Sequence, residues 1–385
     1  MRIALVGTFG LRVRGTMWRR ALPLARSLAQ RGHEPTLIVP PWDSPEDEGR
    51  VWDDHGVQVV HARVRHPAQI MAEMLRAVLA SRPDLVHVFK PKAYAGLVLQ
   101  TLWYARRIGL WHGGLVLDAD DWEGPGGWND RMGYPIVARW LFAWQERWGF
   151  RHADALTVAS RWLAMQAKTM GARHVVHLPN GVDAIPRPRP RRPNEAPPTA
   201  LLLTRFIEFA PGDVVSIWMD IRRRVPEARL IIAGEALQGE DRALRRMLAS
   251  ASLADGVTWW GLVPFEAIPQ LCAASDVALF PARAHRITLA KCPARLTDVM
   301  AAGLPAVASR VGEHETYIMH GETGFLVPPG DLGAFAEATT WLLQDREQAY
   351  RMGEEAQRHV IERFNWDRLA ATVERAYELA MERRT

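Results

Sequence analysis

Apolar residues recur along this chain in two rhythms. Short dense runs, RIALVGT, EPTLIVP, GVQVV, DLVHVF, GLVLDA, ALTVA and VVHLP, read as buried strands. Between them MWRRALPLARSLAQRG and residues 67–80, 93–108, 136–150 and 160–170 carry apolar positions at helical spacing, the first stopped by Gly32. Strand–helix alternation of this kind predicts a parallel sheet covered by helices on both faces. Residues 184–198, AIPRPRPRRPNEAPP, can form neither a helix nor an interior strand, and a linker is predicted over 184–199. The pattern then restarts: ALLLT, RLIIAG, VTWWG, VALFP and PAVAS alternate with helices at 213–224, 240–252, 265–274 and 293–302, and 331–382 is almost all helix.

The expected architecture is therefore α/β, with two doubly wound, Rossmann-like domains facing each other across a cleft. The first spans 1–183, the second 200–365, and a helix at 366–385 is expected to pack back on the first. Ligands of such sheets bind beyond the carboxyl ends of the strands. That points to residues 7–16, 87–92, 118–127, 205–212, 234–239, 261–264 and 281–298.

Composition narrows the class. The chain has 385 residues, 48% hydrophobic and 24% charged, which is ordinary for a globular protein. Two cysteines, Cys272 and Cys292, are too few for a disulfide framework and fit a reducing cytoplasm. IALVG is too brief for a signal peptide, and no apolar run approaches the roughly 18–20 residues that span a bilayer. Residues 1–183 hold 23 basic against 17 acidic side chains, and the remainder 25 against 26. A mildly basic first half suits a phosphate-bearing substrate or the inner face of a membrane, although a solvated surface is the simpler reading. Trp140, Trp144 and Trp148 fall four apart in helix 136–150. Packing on the helix's own sheet explains them most simply; a membrane-facing ridge beside Arg139, Arg147 and Arg151 is the functional alternative. Basic residues are dispersed and no nucleic-acid motif is present.

Candidate chemistry clusters at the predicted strand ends. GTFGLRVRGT, 7–16, lacks the dinucleotide fingerprint, but Gly15 lies where a phosphate can approach backbone N–H groups. In DADDWEGPGGW, 118–128, Asp118, Asp120, Asp121 and Glu123 crowd one strand end with no evident partner, as a base, a set of sugar-hydroxyl acceptors or a metal site would. Capping is the plainer role for such residues. Lys90 and Lys92 follow another strand, in a chain of four lysines and 44 arginines. Arg205 offers a fork to a phosphate, and Lys291 and Arg295 stand at the start of helix 293–302. Asp298, one turn on, is placed to accept from ribose hydroxyls. His33 reads as a helix-end residue; His285 and His314 border the predicted cleft. No metal-ligand spacing occurs among the thirteen histidines and two cysteines.

Taken together, LAQRGHEPTLIV, LPNGVD, RLIIAGEA, TDVMAAGLPAVASRVGEHE and HGETGFLVPPGD resemble the retaining glycosyltransferases of family 4, which have the GT-B fold. The resemblance runs over nearly the whole chain. It implies an enzyme whose second domain binds a nucleotide-diphosphate sugar, whose first binds the acceptor, and which needs neither metal nor cofactor. The donor is then expected against Gly15, Thr16, Arg205, Gly234, Leu262, Lys291, Arg295, Leu296 and Asp298. Asp120 and Asp121 are expected to contact the sugar as catalytic residues, and Lys90, Lys92 and Asp118 to lie on the acceptor side. Two family positions depart: the diphosphate lysine falls on Ala210, and the first acid of the two-acid motif on Ala290. A divergent subset carries a pattern like KCPARLTDVMAAG, in which Lys291 replaces the missing charge. The product is expected to be an envelope glycan or glycolipid, with peripheral membrane contact through the first domain. A catalytically degenerate nucleotide-binding scaffold and a phosphorylase are the alternatives.

Overall fold

The computed structural model of the chain describes residues 1–11, 15–40, 43–63, 66–182, 190 and 195–382. Most of the predicted linker, 184–189 and 191–194, lies outside them, and its last residue, Thr199, opens a strand. The chain forms two compact units. The first comprises Met1–Gly181, the short segment Ala290–Cys292 and the helix that begins at Trp366; the second comprises Val182–Leu289 and Pro293–Asn365.

The first unit holds β1 (Arg2–Val6), β2 (Glu34–Val39), β3 (Val51–Asp54), β4 (Val57–His61), β5 (Leu85–Phe89), β6 (Gly114–Ala119), β7 (Ala155–Val158) and β8 (Val175–His177). They form one sheet in the order β3-β4-β2-β1-β5-β6-β7-β8. All neighbours run parallel except the β3–β4 hairpin, where Val51 faces Val60 and Asp54 faces Val57. Both faces of the inner strands are covered, so they read as unbroken apolar runs. Ala4 and Val6 point into one apolar layer, beneath α2 (Pro67–Ala80), α3 (Ala93–Arg107), α5 (Ile136–His152) and α6 (Arg161–Thr169). Between α3 and α5 lies the short α4 (Trp128–Arg131). Ile3 and Leu5 point into the other layer, with α1 (Leu22–Gln30). A π-helical turn, Met17–Ala21, precedes α1. Pro23 has no N–H to return to the Arg19 carbonyl, so a wider turn is accommodated there.

The second unit holds β9 (Thr199–Leu203), β10 (Arg229–Ala233), β11 (Val257–Gly261), β12 (Val277–Phe280), β13 (Ala306–Ser309) and β14 (Gly324–Val327). All are parallel, in the order β11-β10-β9-β12-β13-β14. Its helices are α7 (Pro211–Arg224), α8 (Glu240–Ser250), α9 (Ile268–Ala273), α10 (Arg286–Ala290, whose last residue packs with the first unit), α11 (Ala294–Ala301), α12 (His314–Tyr317), α13 (Leu332–Gln344) and α14 (Arg346–Phe364). The chain then returns to the first unit as α15 (Trp366–Met381). Trp366, Leu369, Val373 and Tyr377 of α15 are buried in the layer that also holds Leu5 and Leu37. Arg31 and His33 both reach Glu374 of this helix, at 2.6 and 3.0 Å.

Each sheet reverses its strand order once, between β1 and β5 in the first unit and between β9 and β12 in the second. Within each unit separately, the loops leaving those strands frame a crevice of the kind in which ligands of such sheets bind. The residues concerned are those from Gly7 and Lys90 in one unit, and from Thr204 and Pro281 in the other.

Candidate active site

In the first unit the acidic run after β6 is built into a network of buried ion pairs. Asp118, inside β6, is fully buried. Arg20, delivered by the π-helical turn and equally buried, donates Nε to its Oδ1 at 2.8 Å and Nη2 to its Oδ2 at 2.7 Å. Thr157 donates to the same Oδ2 at 2.6 Å. Arg20 also reaches the Leu178 carbonyl at 2.8 Å and Asn180 Oδ1 at 3.0 Å. Asp118, expected on the acceptor side, is thus enclosed and satisfied; it fixes β6 against the LPNG turn and presents no face to a ligand.

Asp120, Asp121 and Glu123 are not the partnerless cluster that their spacing implied. The Lys90 ammonium lies 3.1 Å from Asp120, 2.5 Å from Asp121 and 3.8 Å from Glu123, and Lys92 lies 2.7 Å from Glu123. Both lysines are buried. Lys90 has φ +58°, in the left-handed region. Its N–H donates to the Asp118 carbonyl and its own carbonyl accepts from Thr8. Such strain persists only where its surroundings determine it, and it concentrates at functional sites. Thr16 donates to Asp120 at 2.8 Å and the Trp128 indole to Asp121 at 2.7 Å. Gly15 accepts the Arg19 N–H in the turn that presents Thr16.

The two adjacent aspartates are driven apart in acidity. Burial pushes Asp120 up, but Lys90, Arg20 and the Thr16 hydroxyl outweigh it and hold the carboxyl below the usual carboxylate range. For Asp121 burial prevails over Lys90, with the charges of Asp120 and Glu123 adding to it, and its carboxyl is raised. Neighbouring carboxyls with opposed shifts are suited to different roles. Behind them Glu146 is pushed up to about 8, chiefly by burial, although it accepts the Glu123 N–H at 2.9 Å. Among the described residues no group of three or more His, Cys, Asp or Glu is arranged to hold a metal ion.

In the second unit Arg205 is half-buried directly after β9. The loop that carries it is braced: Phe206 sits at φ +65° with its N–H on Thr204 Oγ1, and Thr204 donates to Glu208. The Arg283 N–H donates to the Glu208 carbonyl at 2.8 Å, which ties the loops after β9 and β12 together. His285 and His314 are bracing groups too, bonded to the carbonyls of Ile207 and Ser309. At Ala210, where the resemblance expects lysine, the backbone N–H donates to Asp213 at the start of α7. Arg283 grips that same carboxylate with two bonds of 2.7 Å, its side chain 60% exposed. A cation therefore stands beside the position that has lost one.

Gly234 ends β10 at φ +144°, and a Cβ there would collide with the Thr204 carbonyl. Leu262 is exposed beyond β11. Arg295 and Asp298 are half-buried on α11. Leu296, expected to contact the donor, is fully buried and its N–H donates to the Pro293 carbonyl, so it is a core residue. Lys291 is half-buried ahead of α11, in the segment that packs with the first unit. In that segment Ala290 is fully buried in the apolar layer of α3 and α5, a place unsuited to an acid, and Cys292 accepts the Asn180 N–H through Sγ at 3.1 Å. Arg20, Glu146 and Arg283 escaped the sequence reading: nothing local distinguishes one arginine from 43 others, and Glu146 sits in a helix read for its tryptophans.

Comparison with known proteins accords with this arrangement. Residues 15–181 match the family model described as a glycosyl transferase 4-like domain, and residues 206–345 match that of glycosyl transferases group 1. The chain is a glycosyltransferase of the family 4 type. The transferase is 27% identical over 373 residues to the GDP-mannose-dependent alpha-(1-6)-phosphatidylinositol monomannoside mannosyltransferase of Mycobacterium tuberculosis, covering 90% of each chain. Among solved structures it superposes on sucrose-phosphate synthase from Thermosynechococcus elongatus with a TM-score of 0.73 at 19% identity, over the whole of both chains. HepE of Anabaena, solved in complex with UDP and glucose, gives a TM-score of 0.67 at 17% identity, over 98% of the transferase and 100% of HepE. These likenesses show the GT-B fold.

Proposed function

We propose that the transferase moves a hexose, mannose being the first to try, from a nucleotide-diphosphate sugar to a lipid-borne acceptor of the cell envelope. In this reading the anomeric configuration is retained and no metal takes part. The mycobacterial relative, named for GDP-mannose and a phosphatidylinositol mannoside, supports the choice of donor and acceptor. The observation that carries the reading lies in the second unit. Its sheet reverses order between β9 and β12, and each of the two loops there supplies an arginine, Arg205 and Arg283.

As the acceptor hydroxyl oxygen bonds to the anomeric carbon, the bond from that carbon to the diphosphate breaks. The diphosphate takes up negative charge and, on the same face of the sugar, the acceptor's proton. Fixed cations at that point lower the barrier more than they stabilise the ground state. Arg205 and Arg283 take this role, with Lys291 and Arg295 adding positive charge, and Asp298 accepts from the ribose. In the first unit Asp120 and Asp121 accept from sugar hydroxyls, while Lys90 and Lys92 hold their loop.

Calorimetric titration of the purified transferase with GDP, UDP and ADP, followed by donor turnover with and without EDTA, tests the reading. One nucleotide is expected to bind, and its sugar to be consumed equally in EDTA, with an α-linked product by NMR. No binding by any of the three, or turnover lost in EDTA, counts against it.

A further inference from the structure

We propose that the outer face of α5, together with the exposed side of α3, docks on an anionic lipid bilayer. The proposal builds on the lipid-borne acceptor inferred above, yet it stands on its own observations. Helix α5 is turned inside out over its first half. Its inner side buries Gln145 and Glu146, while Ile136, Val137, Trp140, Leu141 and Trp144 face solvent. Val137 and Trp140 are each 76% exposed, Ile136 63% and Trp144 47%. These positions repeat at i, i+1, i+4, i+5 and i+8, a single stripe on a helix. Trp148, read from sequence as the third member, is instead packed against Trp103 and stacked on His152 at 4.3 Å. Helix α3, packed beside α5, adds exposed Leu97 and Tyr104, and Ile108 and Leu110 follow it at 71% and 76%. Soluble monomers rarely leave large apolar surface exposed without a partner.

Charge selects the partner. Helix α3 contains no acidic residue, and the only one in α5, Glu146, is buried. Exposed Arg107, Arg147 and Arg151 lie on the same two helices, with half-buried Arg139. Beside them Asp154 is buried and paired with Arg106 of α3, and the exposed Asp130 in α4 is drawn to Arg139 and to the Gly126 N–H. Exposed tryptophans on helices whose exposed charges are all arginines, with the neighbouring exposed acid Asp130 drawn to Arg139, match the headgroup layer of an anionic bilayer: indoles settle at its boundary and guanidinium groups meet phosphates. No described helix is long and apolar enough to cross a membrane, so the contact is one of lying on the surface.

Co-sedimentation with phosphatidylcholine vesicles, with and without phosphatidylglycerol, tests the proposal, alongside quenching of tryptophan fluorescence by brominated lipid. The transferase is expected to bind the anionic vesicles. The double variant Trp140→Ser/Trp144→Ser should bind at least about tenfold more weakly with unchanged thermal stability, because both side chains are exposed. Trp341→Ser, at an exposed tryptophan of the second unit, should bind like the parent. Failure of the parent to bind vesicles, or equal binding by the double variant, overturns the proposal. So does a concentration-dependent dimer that the double variant loses, since a second copy then covers the face. Vesicle binding without any turnover of nucleotide sugar refutes the functional reading alone; transfer to a soluble acceptor without vesicle binding refutes this one alone.

Discussion

Lys90 meets three carboxylates in a buried pocket, from a backbone angle that few side chains adopt. Replacing it by methionine leaves Asp120 and Asp121 without their main counter-charge, and the expected loss is about 3–5 kcal/mol in denaturant titration, with activity abolished. Arginine should not rescue it, because a planar fork cannot occupy the point where one compact ammonium meets three acids. Glu146 makes a second prediction. Its folded value of about 8 lies above its ordinary 4.5, so between those limits the folded state binds the extra proton. That stability is complete below pH 4.5 and is lost as pH rises through about 8, at up to ~1.4 kcal/mol per pH unit. Glu146→Gln should flatten this decline in melts taken from pH 5 to 9; a decline unchanged in the variant would contradict the assignment. Buried His87, held near 3 by burial and then by Arg20, has the opposite sign: its contribution is present above pH 6.5 and fades as pH falls toward about 3. At this scale the sequence disclosed the acids and the two lysines but not their pairing, because strands distant in the chain bring them together.

Among the elements, most strands and helices were legible, since strands buried on both faces make unmistakable apolar runs. The edge hairpin strand β3, VWDD, and the edge strand β14, GFLV, were not read as strands: each is only four residues long, and Asp53 and Asp54 cut short the apolar run of the first. The turn from β10 carries a firm expectation. Gly234→Ala puts a methyl group into the Thr204 carbonyl at a φ that disfavours it, and should cost about 2–3 kcal/mol or more in chemical denaturation. The start of α7 behaves differently. Arg283 is exposed although its partner Asp213 is buried, so Arg283→Ala should cost only about 1 kcal/mol of stability. Nucleoside diphosphate affinity in calorimetry should still fall about tenfold or more. A full-affinity Arg283→Ala variant would return the duty of the missing lysine at 210 to Lys291.

For the whole molecule the division into two α/β units was readable from the restart of the strand pattern after the proline-rich segment. That residues 290–292 pack with the first unit was not, since no sequence signal marks three residues as belonging to a distant core. A chain ended at Asn365 removes Trp366, Leu369, Val373 and Tyr377 from the core of the first unit. At roughly 1.5–3 kcal/mol for each large buried side chain, that loss rivals the entire stability of a domain. Scanning calorimetry of the truncated chain should show the first unit's transition gone and the second unit's retained; two intact transitions would refute the role given to α15. The same helix imposes an order on biosynthesis. The strands of the first unit leave the ribosome early but stay short of their last covering layer, while everything the second unit requires of the chain from Val182 to Asn365 has already been made. The half that is translated first is therefore the half that matures last.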